Sequence, residues 1–492
     1  MIHPWESDKL REECGIFGYY GKPVERSSAH EDGLSLDAVA MTTIGLHALQ
    51  HRGQEAAGVT TFDGSEFHTY REMGHVADQL NKPEIHRQLP GHSAIGHVRY
   101  STAGESTIHN AQPLFAEIPT GGFAYAHNGN LSNAQLLRRQ LISQGSIFQS
   151  KCDSEVIVHL TARSSYRTLE DRLIDALRMV EGAYSLVALT TAALIGIRDP
   201  LGIRPLVLGR IERDGSWILA SETCALDIVG ARLVRSIKPG EMIVISKDGC
   251  ESHFPFNKAK PKPCIFEHVY FTRPDSIIDN VSVYEVRKRI GAELCAENPV
   301  DADLVVPVPD SGTPAAIGYS QAAGLPFELG IIRNHYVGRT FIEPGASIRN
   351  LGVKLKHNPN RSILKGKRLI LIDDSIVRGT TSSKIVTMLR ECDVREIHLR
   401  IASPPTSYSC FYGVDTPQRG ELMAAQHNLN MEKMCETIGA DSLAFLSIDG
   451  LYRATGQTRR NNASPQYCDA CFTGEYPTKL TDMGETESGE LI

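Results

Sequence analysis

The chain has 492 residues, more than one hydrophobic core normally supports, and this length predicts roughly two to four domains. Its formal net charge of -7 at pH 7 argues against nucleic acid as the main partner, because a surface that follows phosphates needs an excess of basic residues. Neither a secretory signal nor a membrane span is predicted, since residues 1–13 are polar and the most apolar stretch, 183–197, contains Ser185, Thr190 and Thr191.

The first half of the chain predicts an α+β sandwich of sheets and helices. Short alternating runs are typical of strands, and turn dipeptides such as Asp214-Gly215 separate them. Helical periodicity appears in the longer stretches between these runs. The predicted helices are Leu34–Gln50, Asn133–Gln144 and Leu169–Val180, and the predicted strands are Ala94–Tyr100, Gly122–His127, Tyr184–Leu189, Ala193–Arg198, Leu206–Leu208 and Trp217–Ala220.

A Lys/Pro-rich stretch, Asn257–Pro263, predicts the boundary between two domains. The first domain is expected at residues 14–255 and the second at residues 264–471. Residues 473–492 are acidic and rich in Gly, Thr and Glu, which predicts a disordered tail.

The second domain predicts an α/β fold with a parallel sheet. Its strand candidates are continuously apolar rather than alternating, and helical patterns lie between them. That arrangement is typical of a doubly wound sheet with helices on both faces. The predicted strands are Asp303–Pro307, Arg368–Asp373 and Glu396–Ala402.

The motif LILIDDSIVRGTTSSKI places two carboxylates, Asp373 and Asp374, directly after a buried strand. A loop with Gly379 follows, and then a helix that begins with Thr380 and Thr381. Ligands of open α/β sheets bind at the carboxyl ends of strands, and the N–H groups at a helix start suit a phosphate. The carboxylates suit the hydroxyls of a ribose or a Mg²⁺ ion on a diphosphate. The Asp pair alone would fit an acidic turn, but the whole unit resembles the phosphoribosyl diphosphate signature of type I phosphoribosyltransferases.

Two further segments fit that resemblance. The segment VVPVPDSGTPAA is again a strand, a tight glycine loop and a helix, and its loop could bind a diphosphate. Residues 335–356 form a basic stretch that predicts a mobile loop closing over the substrate, although an ordinary solvated loop fits it equally well. The residues assigned to phosphoribosyl diphosphate are Asp310, Ser311, Gly312, Arg339, Lys356, Asp373, Asp374, Ser375, Arg378, Gly379, Thr380 and Thr381, and those assigned to Mg²⁺ are Ser311, Asp373 and Asp374.

Cys14 begins a predicted strand in EECGIFGYYG, which places its thiol at a strand edge. Alone, this pattern fits a buried structural cysteine. The segments LQHRGQEAAG, GHVRYST, AHNGNLSN and CDSE change that interpretation. Together with the Cys-Gly start they resemble the class II glutamine amidotransferases, which are N-terminal-nucleophile hydrolases, over most of residues 14–250.

This resemblance implies that Cys14 becomes the first residue after removal of Met1–Glu13, so that its own α-amine acts as the base. An α-amine titrates near about 7.7–8.0, which suits proton transfer at neutral pH. The thiolate would attack the glutamine carboxamide, form a γ-glutamyl thioester and release ammonia. The implied roles are the oxyanion hole for Asn128 and Gly129, the substrate α-carboxylate for Arg99 and its α-ammonium for Asp153. Singly, these residues would also fit a turn or structural ion pairs.

The two halves together resemble the amidophosphoribosyltransferases, the glutamine-dependent enzymes that act on phosphoribosyl diphosphate, over about residues 14–471. The segments FEHVYFTRPDS and RNHYVGRTFI extend the match. The implied reaction displaces diphosphate from C1 of 5-phosphoribosyl 1-diphosphate by ammonia, giving 5-phosphoribosylamine and glutamate at the start of purine synthesis. The family also implies purine nucleotides as feedback inhibitors and a homodimer or homotetramer. Two alternatives are a different phosphosugar acceptor and a non-catalytic ligand sensor.

The cysteine pattern predicts a metal site. Without an export signal the cytoplasm is expected, where the 11 cysteines favour core, metal-binding or catalytic roles over disulfides. Cys468 and Cys471 form a C-x-x-C pair, and with Cys264 and Cys410 they resemble the 4Fe–4S site of the family's iron–sulfur subgroup. Four thiolates suit zinc equally well, and a redox pair or buried cysteines would fit the parts. The acidic residues before Cys14 fit the propeptide of that subgroup.

Overall fold

The computed structural model describes residues 11–12, 14–21, 37–100, 107–334 and 357–483. Most of the predicted propeptide 1–13, the predicted basic loop with Arg339 and Lys356, and residues 484–492 lie outside these ranges. None of the helices within them has the length and hydrophobicity that a membrane crossing requires.

The first domain contains two antiparallel sheets packed face to face. A core of aliphatic side chains from both sheets fills the space between them, including Ile16 and Leu219 on one side and Val187 and Leu194 on the other. Each such fully buried side chain contributes about 1.5–3 kcal/mol to folding. In spatial order the strands of the 7-stranded sheet are Arg232–Ser236, Val207–Arg210, Trp217–Ala220, Cys14–Tyr20, Ser93–Arg99, Ala56–Phe62 and Phe67–Met73. Those of the 6-stranded sheet are Gly249–His253, Met242–Ser246, Ala193–Arg198, Gly182–Thr190, Gly121–Leu131 and Leu114–Ile118.

Helices cover the outer faces of both sheets. Leu169–Leu177 illustrates why they form, since Thr168 caps its start by accepting from Asp171 N at 3.1 Å. Leu173 and Leu177 recur at helical spacing and pack into the core outside the 6-stranded sheet. The helices of this domain are Ala38–Ala48, Val76–Gln79, Pro83–Gln88, Ala134–Ser143, Glu155–Arg163, Leu169–Leu177 and Thr223–Ile228, with a 3₁₀ turn at Ile108–Asn110.

The second domain has a parallel 4-stranded sheet in the spatial order Leu304–Pro307, Arg368–Asp373, Glu396–Ile401 and Ser442–Phe445. Its two faces bury different side chains of the same strands, with Val305 and Ile370 in one core and Val306 and Leu371 in the other. Burial on both faces explains why these strands are continuously apolar in the sequence. This sheet and the sandwich confirm the predicted fold class.

The helices of the second domain are Val283–Glu297, Thr313–Ala323, Arg361–Leu364, Thr380–Arg390, Met423–Gln426, Met431–Ile438, Ile448–Ala454 and Ala470–Thr473. Shorter elements are a π-helical turn at Glu267–Phe271, 3₁₀ turns at Arg419–Glu421 and Thr481–Met483, and the paired strands Ile277–Ile278 with Val281–Ser282 and Ile331–Arg333 with His357–Pro359. Arg11–Glu12, just before Cys14, pairs with Val414–Asp415 of the second domain.

A buried network of charges joins the two domains. Arg52 and Arg204 of the first domain both bind Glu267 of the second, at 2.8 and 3.0 Å. Arg52 also pairs with Glu222, whose other carboxylate oxygen accepts from Arg273 N at 3.0 Å. Burial alone would raise the pKa of Glu222, but Arg52, His51 and the hydrogen bond from Arg273 N together outweigh it, and the pKa is lowered. The charges are therefore paired across the interface, which is the condition for burying them.

The predicted disordered tail is wrong for residues 473–483. This segment returns from the second domain to the first, where Asp482 accepts hydrogen bonds from Gln135 N and Leu136 N at 2.7 and 2.9 Å. Its polar composition suggested disorder because few of its side chains are apolar. The contacts that order it come from residues more than 300 positions away, which local composition cannot report.

Candidate functional site

Cys14, the predicted nucleophile, begins a central strand of the 7-stranded sheet. In the strand register it is opposite Arg99, and Arg99 is also paired with Ala56 on its other side. The predicted position at an edge is wrong, because the strand Cys14–Tyr20 has neighbours on both sides and Cys14 is 8 % exposed. The pairing brings a thiol and a guanidinium that are 85 positions apart in sequence into adjacent strands.

Asn128 and Gly129 come from the facing sheet. Asn128 is buried, and its Nδ2 lies 3.5 Å from Ser221 Oγ, which accepts a hydrogen bond from Ile16 N at 3.0 Å. Within the described ranges, Asn128 Oδ1 is buried without a hydrogen-bond partner. Gly129 has a φ of 141°, and a Cβ there would lie 2.1 Å from Ala183 O, so only glycine fits. Ser221 therefore links the Asn128 amide to the strand that begins with Cys14.

Asp153 lies in the turn before the helix Glu155–Arg163, and its side chain contacts the end of the strand that carries Asn128. Its Oδ2 accepts from Leu131 N at 3.0 Å, and its Oδ1 lies 3.5 Å from Cys152 Sγ and 3.2 Å from Ser154 Oγ. Burial and, after it, the charge of Asp153 raise the pKa of the Cys152 thiol to about 11, against an opposing effect of Arg99. Arg99 and Asp153, the two predicted glutamine-binding residues, therefore act on the same buried thiol with opposite charges.

Sequence reasoning missed the polar side chains that support these residues. His127 Nδ1 lies 2.7 Å from Ser154 Oγ, and Gln112 Oε1 accepts from His127 N at 2.8 Å. Burial lowers the pKa of His127 and lowers that of neighbouring His97 to about 3, so both imidazoles are neutral at pH 7. His127 and Ser154 stand inside the motifs AHNGNLSN and CDSE, whereas Gln112 and Ser221 lie outside every motif.

The second predicted site lies at the carboxyl ends of two neighbouring parallel strands. Asp373 and Asp374 are each 2 % exposed at the end of Arg368–Asp373. Asp373 Oδ1 accepts from Asp374 N at 2.9 Å, and Asp374 Oδ2 accepts from Ser375 Oγ at 2.7 Å. The sequence pattern predicted a ligand site at these carboxyl ends, because the apolar strands are followed directly by polar loops.

The loop with Asp310, Ser311 and Gly312 lies beside that edge. A Cβ on Gly312 would lie 2.4 Å from Ile372 O, so glycine lets the loop approach the end of the neighbouring strand. The exposed Asp310 forms an ion pair with Arg333. The structure thus brings residues 310–312 next to the Asp373–Asp374 pair, although the segments are about 60 residues apart.

The loop after Asp374 ends in the helix Thr380–Arg390, whose first turn carries Thr380 and Thr381. Gly379 precedes it with a φ of 79°, a conformation that favours glycine. Arg378 donates to Glu421 Oε2 at 2.6 Å, so Glu421 neutralises its charge at the surface.

One buried cation near this edge was not predicted. Arg287 on Val283–Glu297 donates to His268 O and Thr272 O at 2.8 and 2.7 Å. Burial lowers its pKa to about 10, and Asp374 is the first of the negative charges that oppose this shift. Arg287 lies in an ordinary helical pattern, which does not distinguish it from a solvent-exposed arginine.

Cys264, Cys410, Cys468 and Cys471 line one small cavity together with Phe266, Tyr412, Val414, Thr416 and Ala470. Backbone bonds fix the arrangement, since Ile265 N donates to Cys468 O at 3.1 Å and Ser407 N donates to Cys471 O at 2.9 Å. Among the described residues, no three His, Cys, Asp or Glu side chains are gathered closely enough to bind a single metal ion. The four thiols therefore converge on one cavity without a single-ion geometry.

The sandwich and the parallel-sheet domain define a glutamine amidotransferase coupled to a phosphoribosyltransferase. Residues 97–227 match the family model of the glutamine amidotransferase domain. The chain is 55% identical to the amidophosphoribosyltransferase of Rhizobium etli over 99% of this chain and 96% of that protein. It is 45% identical to that of Bacillus subtilis over 96% of this chain and 95% of the relative.

Solved structures agree with these relatives. The B. subtilis glutamine phosphoribosylpyrophosphate amidotransferase complexed with ADP and GMP superposes with a TM-score of 0.87 at 43% identity, covering 97% of this chain and 100% of that one. The chain belongs to the amidophosphoribosyltransferase family. It transfers ammonia released from glutamine to C1 of 5-phosphoribosyl 1-diphosphate, in the first committed step of purine synthesis. The alternatives of another acceptor and of a non-catalytic sensor are therefore set aside.

Proposed function

We propose that Cys14 is the glutaminase nucleophile, activated by its own α-amine once residues 1–13 are removed. The observation that carries this proposal is the register that pairs Cys14 with Arg99 while Ser221 links Ile16 to Asn128. The guanidinium of Arg99, in the strand beside Cys14, can bind the α-carboxylate of glutamine in a bidentate pair, and the carboxylate of Asp153 suits its α-ammonium.

The reaction at this site follows from those positions. The amine of Cys14 takes the thiol proton, and the thiolate attacks the carboxamide carbon to give a tetrahedral oxyanion. Asn128 Nδ2 and the Gly129 N–H donate to that oxyanion, and the buried setting strengthens both hydrogen bonds. The C–N bond then breaks, the amine returns its proton to the leaving ammonia, and water hydrolyses the thioester to glutamate.

Removal of the propeptide would separate a pair of short strands. Arg11 and Glu12 pair with Asp415 and Val414, next to the cavity that the four cysteines line. In the intact chain Cys14 N is part of a peptide bond and is not an amine base. Cleavage before Cys14 would create that base and release the paired strand.

In the second domain, Asp373 and Asp374 are proposed to bind the ribose hydroxyls, and Ser311 and Gly312 the diphosphate, with Asp310 beside them. The helix start suits the 5-phosphate. Ammonia attacks C1, and the bond between C1 and the diphosphate oxygen breaks. The remaining residues proposed for this substrate are Ser375, Arg378, Gly379, Thr380 and Thr381, with Arg339 and Lys356 outside the described ranges.

The donors at this edge fit Mg²⁺, which binds through one or two carboxylates together with substrate phosphates. Asp373 and Asp374 supply buried carboxylates there, and Ser311 supplies a hydroxyl. A bound Mg²⁺ would neutralise charge on the departing diphosphate.

The four cysteines are proposed to hold a 4Fe–4S cluster, as the resemblance to the iron–sulfur subgroup implies. The proposal is supported by the single cavity that all four side chains line. A cluster there would join the start of the second domain to Cys410 and to the C-terminal segment.

Three further proposals concern regulation, assembly and location. Purine nucleotides are proposed as feedback inhibitors, supported by the ADP and GMP named in the B. subtilis structure. We propose a homodimer or homotetramer, as the family implies. We also propose a cytoplasmic location, because the eleven cysteines suit core, metal-binding and catalytic roles in a reducing compartment.

The experiment that tests the glutaminase proposal compares glutamine with ammonium chloride as the nitrogen source. Cys14→Ala is expected to lose glutamine-dependent synthesis by roughly 10³-fold or more while keeping ammonia-dependent synthesis. Equal loss of both activities would contradict the assignment. Intact-mass and iron measurements on the anaerobically purified protein test the propeptide and the cluster, since a mass beginning at Met1 without iron would contradict both.

A further inference from the structure

The C-terminal arm, residues 474–483, crosses from the second domain onto the strand end that follows Asn128 and Gly129. Asp482 N donates to Ser132 O at 2.9 Å, and Ser132 Oγ donates to Lys479 O at 2.7 Å. Thr481 Oγ1 donates to Glu181 Oε2 at 2.6 Å. The arm therefore forms hydrogen bonds with Ser132, three positions after Gly129.

Asp482 also supplies the N-cap of the helix Ala134–Ser143. Asn133 precedes this helix, but its own side chain makes no capping hydrogen bond. The Asp482 carboxylate accepts from Gln135 N and Leu136 N instead, at 2.7 and 2.9 Å. A carboxylate at a helix start binds free N–H groups and interacts favourably with the helix dipole. A residue 346 positions away thus fixes the direction in which the chain leaves the strand.

A second contact joins the arm to Gly129 through residues 411–413. Asn130 Nδ2 donates to Phe411 O at 3.0 Å, and a Cβ on Gly413 would lie 3.0 Å from Gly129 Cα. Tyr412 lies between them, and its hydroxyl accepts from Thr478 N of the arm at 3.1 Å. The backbone around Gly129 is therefore in contact with a segment that the arm itself stabilises.

We propose that the C-terminal arm positions the Gly129 turn for glutamine hydrolysis, with Asp482 as a positioning residue. The inference rests on the proposed role of Asn128 and Gly129 in the oxyanion hole. Oxyanion donors act only when they point at the developing charge, so a small rotation of the strand end weakens them without removing any catalytic group. The second domain would thereby control the competence of the glutaminase site through ordinary hydrogen bonds.

The first test is Asp482→Ala, assayed with glutamine and with ammonium chloride. We expect the glutamine-dependent kcat to fall about tenfold while the KM for glutamine changes less than about twofold, because the lost contribution belongs to the transition state. Ammonia-dependent synthesis is expected to be unchanged, because the hydrogen bonds of the arm described above go to the first domain and to Tyr412 rather than to the Asp373–Asp374 edge.

Thr168→Ala is the matched control, because it removes the N-cap of Leu169–Leu177 in the same domain, away from Gly129. It is expected to leave both activities unchanged. A second pair of variants ends the chain after Met483 or after Gly474. The shorter chain is expected to lose glutamine-dependent activity and keep ammonia-dependent activity, while the longer chain keeps both.

Equal loss of the two activities in Asp482→Ala, or full retention of the glutamine-dependent kcat, would overturn the positioning role. Asn128→Ala assayed in parallel separates this outcome from failure of the oxyanion proposal. If Asn128→Ala hydrolyses glutamine normally, the oxyanion assignment itself is at fault. If only Asp482→Ala does so, the arm has no catalytic role.

Discussion

The two sites of this enzyme are built by different means. Of the residues proposed for glutamine hydrolysis, Cys14, Arg99 and Asn128 lie within paired strands and are buried, so that strand register places Cys14 opposite Arg99 and brings Asn128 towards Ser221. The residues proposed for phosphoribosyl diphosphate lie at the ends of parallel strands and on the loops after them, where the Asp373–Asp374 pair is buried but Asp310 is exposed. Strand pairing fixes positions through many backbone hydrogen bonds, whereas loops depend on a few side-chain contacts.

This difference indicates how each site responds to change. A site inside paired strands is preorganised, and it is sensitive to any shift of the sheet or of the segments that follow its strands. For this reason the distant C-terminal arm can influence it. A site on loops tolerates movement and can close over a substrate. The buried charge network around Glu267 lies between the two regions and is the place where a single substitution should affect both.

The largest effect is expected from Arg52→Met, which leaves Glu222 and Glu267 without one of their buried counter-charges. Breaking such a pair costs about 3–5 kcal/mol of unfolding free energy. Urea denaturation measures it, with Arg232→Met as the control, because the exposed Arg232–Glu212 pair contributes only about 0–1 kcal/mol. Equal stability of the two variants would mean that the network does not join the domains energetically.

Asn128→Ala sharpens the comparison at the glutaminase site. Loss of one oxyanion donor is expected to lower the glutamine-dependent kcat by about 10²–10³-fold with little change in KM. Ammonia-dependent synthesis should be preserved, because Asn128 belongs to the first domain. Steady-state kinetics with both nitrogen sources measure the difference, and a raised KM with normal kcat would instead assign Asn128 to glutamine binding.

Asp374→Asn tests the loop-built site. It is expected to lower synthesis with either nitrogen source by roughly 10²-fold, because the carboxylate is proposed to contact the ribose itself. Asp393→Asn is the control, since the Asp393 side chain is exposed and forms a long surface ion pair with Lys365 at 3.8 Å. Loss of the glutamine-dependent activity alone would move Asp374 from the acceptor site to interdomain coupling.

His97→Gln is expected to have the smallest effect at neutral pH, and its effect should appear only as the pH falls. Burial lowers the pKa of folded His97 to about 3, while an unfolded histidine titrates near about 6.5. The unfolded chain therefore binds a proton first, and stability present above pH 6.5 is lost as pH falls from about 6.5 to about 3, by up to about 1.4 kcal/mol per pH unit. Unfolding midpoints across this range should fall less steeply in the variant, and an unchanged slope would contradict the neutral buried imidazole.

Much of the fold was predictable because local patterns carry it. Ala193–Arg198, Trp217–Ala220 and Arg368–Asp373 are observed at their predicted bounds, since apolar periodicity and flanking turns mark them. Strands such as Arg232–Ser236 and Phe67–Met73 were not predicted, because they are outer strands whose side chains are largely exposed or half-buried. Their existence depends on hydrogen bonds to a neighbouring strand rather than on their own composition.

The sequence by itself determined the chemical groups, their order along the chain and the two fold classes, because motifs and periodicity are local properties. Only the tertiary structure decided that Cys14 is interior, that Ser221 and Gln112 support the motif residues, and that Arg287 lies near Asp374. It also decided that residues 473–483 are ordered against the first domain. These facts depend on which distant segments meet, and contacts across hundreds of residues leave no trace in the composition of either partner.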